Sequence, residues 1–88
     1  MYKIIIFGTG LYGKQALQFF TRENVMFWTD NKEDLHGKLI EGIEVIPPSE
    51  LKKYLNECVI VIAAKPEFFN QIKYQLNKEY GIEMARSE

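Results

Sequence analysis

Short runs of consecutive apolar residues alternate along this chain with longer segments whose apolar residues recur three and four positions apart. The first run, Ile4 to Phe7, sits in the segment YKIIIF and reads as a buried strand. Beyond it Gly13, Ala16, Leu17 and Phe20 fall at i, i+3, i+4, i+7, one face of a helix that can lie on a sheet. That helix is expected to end near Thr21 to Asn24. Val25 to Thr29 (VMFWT) follows as a second strand, rich in β-formers and continuously apolar, as a buried parallel strand should be. Its Phe27 and Trp28 are both expected in the core, on opposite sides of the sheet because successive side chains in a strand alternate.

The tract from Asp30 to Glu50 is the least regular, and Gly37 and Gly42 break any helix there. It reads as a loop, a short extended piece over Lys38 to Ile40, a turn at Glu41-Gly42 and a strand over Ile43 to Ile46. Pro47 and Pro48 stop that strand, and Ser49 is the expected N-cap of a short helix whose Leu51, Tyr54 and Leu55 share a face. Cys58 to Ala63 (CVIVIA) gives the strongest buried-strand pattern in the chain. Ala64-Lys65-Pro66 forms the next turn, with Pro66 suited to a first helical turn. Phe69, Ile72, Leu76 and Tyr80 make the apolar stripe of a final helix, Gly81 is its C-cap, and Ile82 to Ala85 reads as a last edge strand. The pattern therefore predicts an α/β chain: a three-layer sandwich with a mainly parallel sheet of four to five strands. Right-handed crossovers put helices on both faces and a crevice at the carboxyl ends of the first strand and the Cys58 strand.

Candidate chemistry sits at the first strand's exit, where Gly8, Gly10 and Gly13 form G-x-G-x-x-G. Such a turn holds a pyrophosphate: the first glycine lets the chain turn, the second leaves room for phosphate, and the third lets the helix pack close. The helix's first amides then face the phosphates. A glycine triplet alone also occurs for architectural reasons. Here a strand precedes it, an amphipathic helix follows, and an acid, Asp30, closes the second apolar run.

Eighty-eight residues make one domain, residues 1–88, burying roughly 60–65% of the surface of its unfolded chain. That suffices for a small core but not for a full dinucleotide domain plus a catalytic one. With 47% hydrophobic and 26% charged residues and a net charge of −1, the composition is that of a soluble globular domain. No basic excess points to nucleic acid, no apolar stretch is long enough for a membrane span, and the default location is cytoplasmic. A single cysteine, Cys58, excludes an internal disulfide and any multi-cysteine zinc site, and no metal ligand set is expected.

The series FGTGLYG, TDN, HGKLIEGIEVIPPSEL and CVIVIAA resembles the small Rossmann-like nucleotide-binding module of bacterial glycan biosynthesis. It is similar to the N-terminal domain of sugar-nucleotide acetyltransferases and of some sugar-nucleotide dehydratases, and to modules attached to glycosyltransferases and methyltransferases. The resemblance runs from Lys3 to about Ile82. Its most specific part is G-K-x-x-x-G-I-x-V-I-x-x-x-E-L, here Gly37-Lys38 through Glu50-Leu51. In the acetyltransferase relatives this module holds the uridine diphosphate, while transfer takes place in a separate β-helix domain whose repeat is not found here.

The resemblance implies phosphate contacts from Gly8, Thr9, Gly10, Leu11, Tyr12 and Gly13, ribose or base contacts from Asp30 and Asn31, and crevice-wall contacts from Ala63, Ala64 and Lys65. The residues themselves point the same way, since Asp30 can accept two ribose hydroxyls and repels a 2′-phosphate, favouring NAD or a plain uridine nucleotide over NADP. Lys65 and Lys14 are each read either as phosphate contacts or as solvated lysines. Tyr12 either shields the phosphates or packs under the neighbouring loop, and Phe68 can reach the crevice rim. His36 is read as a polar-loop residue and Cys58 as a small hydrophobe rather than a reactive thiol.

Two functions remain open. One is a non-catalytic recognition module for NAD or a UDP-type sugar nucleotide, part of a larger polysaccharide or glycan enzyme, with the isolated chain binding without turnover. The other is a fragment of an NAD-dependent sugar-nucleotide oxidoreductase or epimerase, for which the only Tyr-x-x-x-Lys pair is Tyr74 with Lys78, on the final helix. A Rossmann-like interaction domain whose glycine turn only packs stands beside both. Coenzyme A is a further ligand to test, no catalytic residue is assigned, and self-association or an added catalytic domain is the expected partner.

Overall fold

A computed structural model describes residues 2–83. Five strands form one sheet: β1 (Lys3–Phe7), β2 (Val25–Thr29), β3 (Leu39–Ile40), β4 (Ile43–Ile46) and β5 (Cys58–Ile62), in the order β3-β4-β2-β1-β5. β1 pairs in parallel with both β2 and β5, and β2 in parallel with β4, while β3 and β4 form an antiparallel hairpin. The fold is α/β, with the mainly parallel sheet that the hydrophobic pattern predicts. The hairpin turn is Glu41-Gly42, whose φ values of 54° and 77° are those of a two-residue type I′ turn.

Alternation along the strands divides the core between the two faces. Helix α1 (Leu11–Phe20) lays Ala16, Leu17 and Phe20 against Ile6, Trp28 and Val45. Helix α2 (Pro66–Tyr80) and a 3-10 helix over Pro48–Tyr54 cover the other face, where Leu51 and Leu76 are buried with Ile5, Phe7 and Ile60. Trp28 and Phe27 point to opposite faces as expected, and the Trp28 indole N–H donates to the Ile40 carbonyl at 2.9 Å, tying down the hairpin.

Three local expectations are corrected. Ser49 caps nothing: the helix there is 3-10, begins at Pro48 with Pro47 as its cap, and has no side-chain cap bond. It leaves Leu55 partly exposed while Leu51 and Tyr54 face the core. Ile82 and Glu83 are not a strand. The Ile82 N–H instead bonds the Leu76 carbonyl past the left-handed Gly81, and its side chain is buried, so it closes the end of α2 as a Schellman-type cap with a hydrophobic contact. The remainder of that expected strand, to Ala85, lies outside the described residues. Among the described residues no helix is long and apolar enough to cross a membrane.

α2 does not simply run back along the sheet. It starts just past β5, its midpoint meets the carboxyl end of β2 where Gln75 pairs with Asn31, and Glu79 and Tyr80 lie beside Pro47, Pro48 and Ser49 just past β4. The helix therefore passes the carboxyl ends of β5, β2 and β4 in turn.

Two of the three turn glycines are required by this packing. Gly8 has φ +119°, and a Cβ there would stand 2.5 Å from the Ala63 carbonyl oxygen. A Cβ on Gly13 would collide with the Gly8 carbonyl and press on the Trp28 ring at 3.2 Å. Gly10 is different, with extended backbone and nothing within 4 Å of its Cβ direction. Gly13→Ala should therefore destabilise the fold by about 3 kcal/mol or more through overpacking against backbone. Gly10→Ala should change stability by no more than about 1 kcal/mol. Urea denaturation of both variants checks this, and equal losses would contradict it.

Candidate functional site

The carboxyl end of β1 runs straight into the glycine turn, which lies between the ends of β2 and β5. The Gly8 N–H donates to the Thr29 carbonyl at 2.8 Å, and the Ala63 N–H to the Phe7 carbonyl at 2.9 Å, so both neighbours hold the turn by their backbones. Thr29 is itself fully buried and its hydroxyl donates to the Ile46 carbonyl at 2.7 Å, extending the chain of contacts to β4. The strand order changes direction at β1, and the crevice of such a sheet opens there, between β1 and β5.

The first turn of α1 faces that opening uncapped. Gly10 is its N-cap, with no side-chain cap bond and no acidic residue in the turn. The first amides of a helix have no intrahelical partner, and here no carboxylate of the helix neutralises their partial positive charge. Leu11 and Tyr12 are exposed, so Tyr12 packs under no loop.

Asp30 stands just past β2 and is the hub of this corner. Its Oδ2 accepts from the Thr9 N–H at 3.1 Å and the Thr9 hydroxyl at 2.9 Å, and its Oδ1 accepts from the Lys32 N–H at 3.1 Å. The Asp30 carbonyl accepts from His36 Nε2 at 2.7 Å, which places the ring proton on Nε2. His36 does lie in the loop after β2, but half-buried and anchored rather than free. A carboxylate has about four acceptor positions, so these three bonds leave Asp30 room for roughly one further donor.

The remaining predicted residues distribute around this hub. Ala63 touches Gly8, and Ala64 lines a separate small cavity with Pro66, Phe69 and Asn70. Lys65 is the exposed N-cap of α2, its carbonyl accepting from the Phe68 and Phe69 amides, and Lys14 is exposed on α1. The Asn31 carboxamide is paired reciprocally with Gln75, at 2.9 and 2.7 Å. Tyr74 and Lys78 sit on an exposed side of α2, with the ammonium 6.0 Å over the ring, and Tyr74 lines a cavity containing no residue of the glycine turn. Cys58 is buried, its Sγ 3.7 Å from Met26 Sδ, and burial pushes its thiol above the ordinary value, as suits a packed hydrophobe. Among the described residues no three His, Cys, Asp or Glu side chains converge as a metal site.

One feature escapes the sequence pattern altogether. A cavity of about 670 Å3 opens between α2 and the carboxyl ends of β2 and β4, lined among others by Glu33, His36, Ser49, Glu79 and Tyr80. Burial first, then the neighbouring Glu79 carboxylate, raises the Tyr80 phenol above its usual pKa. Its lining residues are far apart in sequence, and only the course of α2 assembles them.

A family model described as C2185-like, N-terminal, matches residues 1–87, and the chain belongs to that family. No match is found among curated proteins. Of solved structures, a UDP-D-quinovosamine 4-dehydrogenase from Vibrio fischeri superposes with a TM-score of 0.66 at 20% identity, over 90% of this chain and 72% of that one. RSP, a Rex-family repressor, superposes with a TM-score of 0.68 at 20% identity, over 93% of this chain. The chain spans 42% of the repressor. These likenesses establish a Rossmann-like fold.

If Asp30 ties the turn to β2, Asp30→Ala should cost about 1–3 kcal/mol of stability and speed exchange of the Thr9 amide roughly tenfold or more. Hydrogen exchange followed by nuclear magnetic resonance reads this directly, and an unchanged Thr9 rate would show that the bond carries nothing.

Proposed function

We propose that the chain is a nucleotide-recognition module that holds the pyrophosphate of NAD or of a UDP-type sugar nucleotide on the turn from Gly8 to Gly13, as part of a larger glycan-biosynthesis enzyme. Gly10 carries this reading. Packing explains Gly8 and Gly13, but the fold has no need of a glycine at position 10, whose missing side chain leaves open space beside the uncapped start of α1. A phosphate approaching the helix amides is what that space fits. Thr9, Leu11 and Tyr12 complete the cradle, with Ala63, Ala64 and Lys65 on the β5 side and Asp30 and Asn31 on the β2 side.

The name of one structural neighbour, a UDP-D-quinovosamine 4-dehydrogenase, adds support for a nucleotide ligand without choosing between its forms. The bonds from Thr9 alter the role first expected of Asp30. With Oδ2 engaged, it orients the turn and offers one acceptor to a ligand hydroxyl rather than two. Its loss therefore weakens bare pyrophosphate as well as ribose-containing ligands.

The dehydrogenase neighbour also favours a second reading, a fragment of an NAD-dependent oxidoreductase. Tyr74 and Lys78 lie away from the turn, so this pair supplies no proton relay there.

Gly10→Val is the test. A β-branched side chain fills the open space and should lower affinity roughly tenfold or more for every nucleotide the parent binds, while thermal unfolding stays nearly unchanged. Titration calorimetry with NAD, UDP and UDP-sugars checks it. Unchanged affinities in a folded Gly10→Val protein would remove the turn as the site.

A further inference from the structure

The cavity beside α2 has a chemical character opposite to that of the glycine turn. Its lining includes two carboxylates, Glu33 and Glu79, and no lysine or arginine among the described residues. Phosphate and carboxylate ligands are repelled by such a lining, whose side chains are mostly polar. A hydroxyl-rich ring finds partners at every side. Its O–H groups can donate to Glu33 and Glu79, and they can accept from the hydroxyls of Ser49 and Tyr80. His36, whose Nε2–H is committed to the Asp30 carbonyl, is left with Nδ1 as an acceptor when the ring is neutral. Pro47 and Pro48 supply apolar surface for the ring's C–H face. A volume of about 670 Å3 is within the ordinary range of small-molecule sites.

The cavity also adjoins the turn through one residue. Asp30 holds Thr9 of the turn with its carboxylate and His36 of the cavity with its carbonyl, and the next residue, Asn31, lines the cavity wall. The Asn31–Gln75 pair keeps α2 in place over it.

We infer that this cavity is a sugar subsite, taking the neutral, hydroxyl-bearing ring of a sugar nucleotide whose pyrophosphate lies on the glycine turn and whose uridine runs to the opposite side, along Ala63 to Lys65. The inference rests on the reading of that turn and selects the sugar nucleotide over NAD as its ligand. Glu33 and Glu79 then act as specificity residues, accepting sugar hydroxyls and rejecting uronic acids and sugar phosphates.

Amide chemical shifts of the labelled chain, titrated in parallel with UDP, UDP-glucose, UDP-glucuronate and NAD, provide the test. The expected result is that UDP shifts Gly10 to Gly13 and the wall at Ala63 to Lys65 but none of His36, Ser49, Glu79 and Tyr80, whereas UDP-glucose also shifts those four and binds roughly three- to tenfold more tightly. Ser49→Ala and Glu79→Gln should remove that preference while leaving UDP affinity unchanged, and Glu79→Gln should improve UDP-glucuronate relative to UDP-glucose. UDP-glucose that shifts the turn but not the cavity overturns the sugar subsite and leaves the turn reading intact. NAD shifting the cavity residues more strongly than UDP-glucose assigns the cavity to a base and overturns it too. If no nucleotide shifts the turn, the reading of the turn fails and this inference fails with it.

Discussion

The close approach of backbone to backbone at the carboxyl end of β1 is the constraint on which the rest of the structure depends. Gly8 sits against the Ala63 carbonyl, and Gly13 against Gly8 and the Trp28 ring. These contacts fix how near β5 comes to the turn and how deeply α1 settles on the sheet. Trp28, fully buried, carries that position on to the β3-β4 hairpin through its bond to Ile40. A side chain at either glycine would lift α1 or part the strands, and the uncapped helix start would no longer stand over the crevice.

Asp30 gives this frame its polar counterpart. One acidic residue just past β2 restrains the glycine turn, starts the following loop through Lys32, and anchors His36 at the wall of the neighbouring cavity. A carboxylate held by backbone and hydroxyl donors is far more strongly restrained than a surface ion pair such as Arg22 with Glu41, at 3.9 Å and largely exposed. These bonds hold the corner together from within the protein itself.

Much of the fold was legible because its elements announce themselves locally. IIIF, VMFWT and CVIVI are buried strands whose continuous apolar character needs no context, and the stripes on α1 and α2 are where periodicity puts them. The end of α1 was legible only loosely, because Thr21 takes a positive φ of 71° without glycine and the Asn24 side chain caps the Phe20 carbonyl instead. Ser49 looked like a cap by type, yet the preceding prolines had already set the helix start two residues earlier, with Pro47 as the cap. Ile82 was expected to open an edge strand, whereas the bond across Gly81 turns it into a helix cap. At the site, the glycine turn and Asp30 could be located from spacing, but the division of labour among the glycines could not, since it depends on what lies beside each Cα in space. The cavity was invisible for the same reason: Glu33, Ser49 and Glu79 share no period and meet only because α2 crosses the strand ends.

The central claim is that the uncapped start of α1, beside the open face of Gly10, receives a pyrophosphate. Its most direct test is an amide-resolved titration of the protein with inorganic pyrophosphate, which carries neither base nor sugar. The account predicts saturable shifts concentrated at Gly10, Leu11, Tyr12 and Gly13, weakened by salt. Shifts scattered over exposed lysines with no focus on the turn, or no saturable response at all, would contradict it.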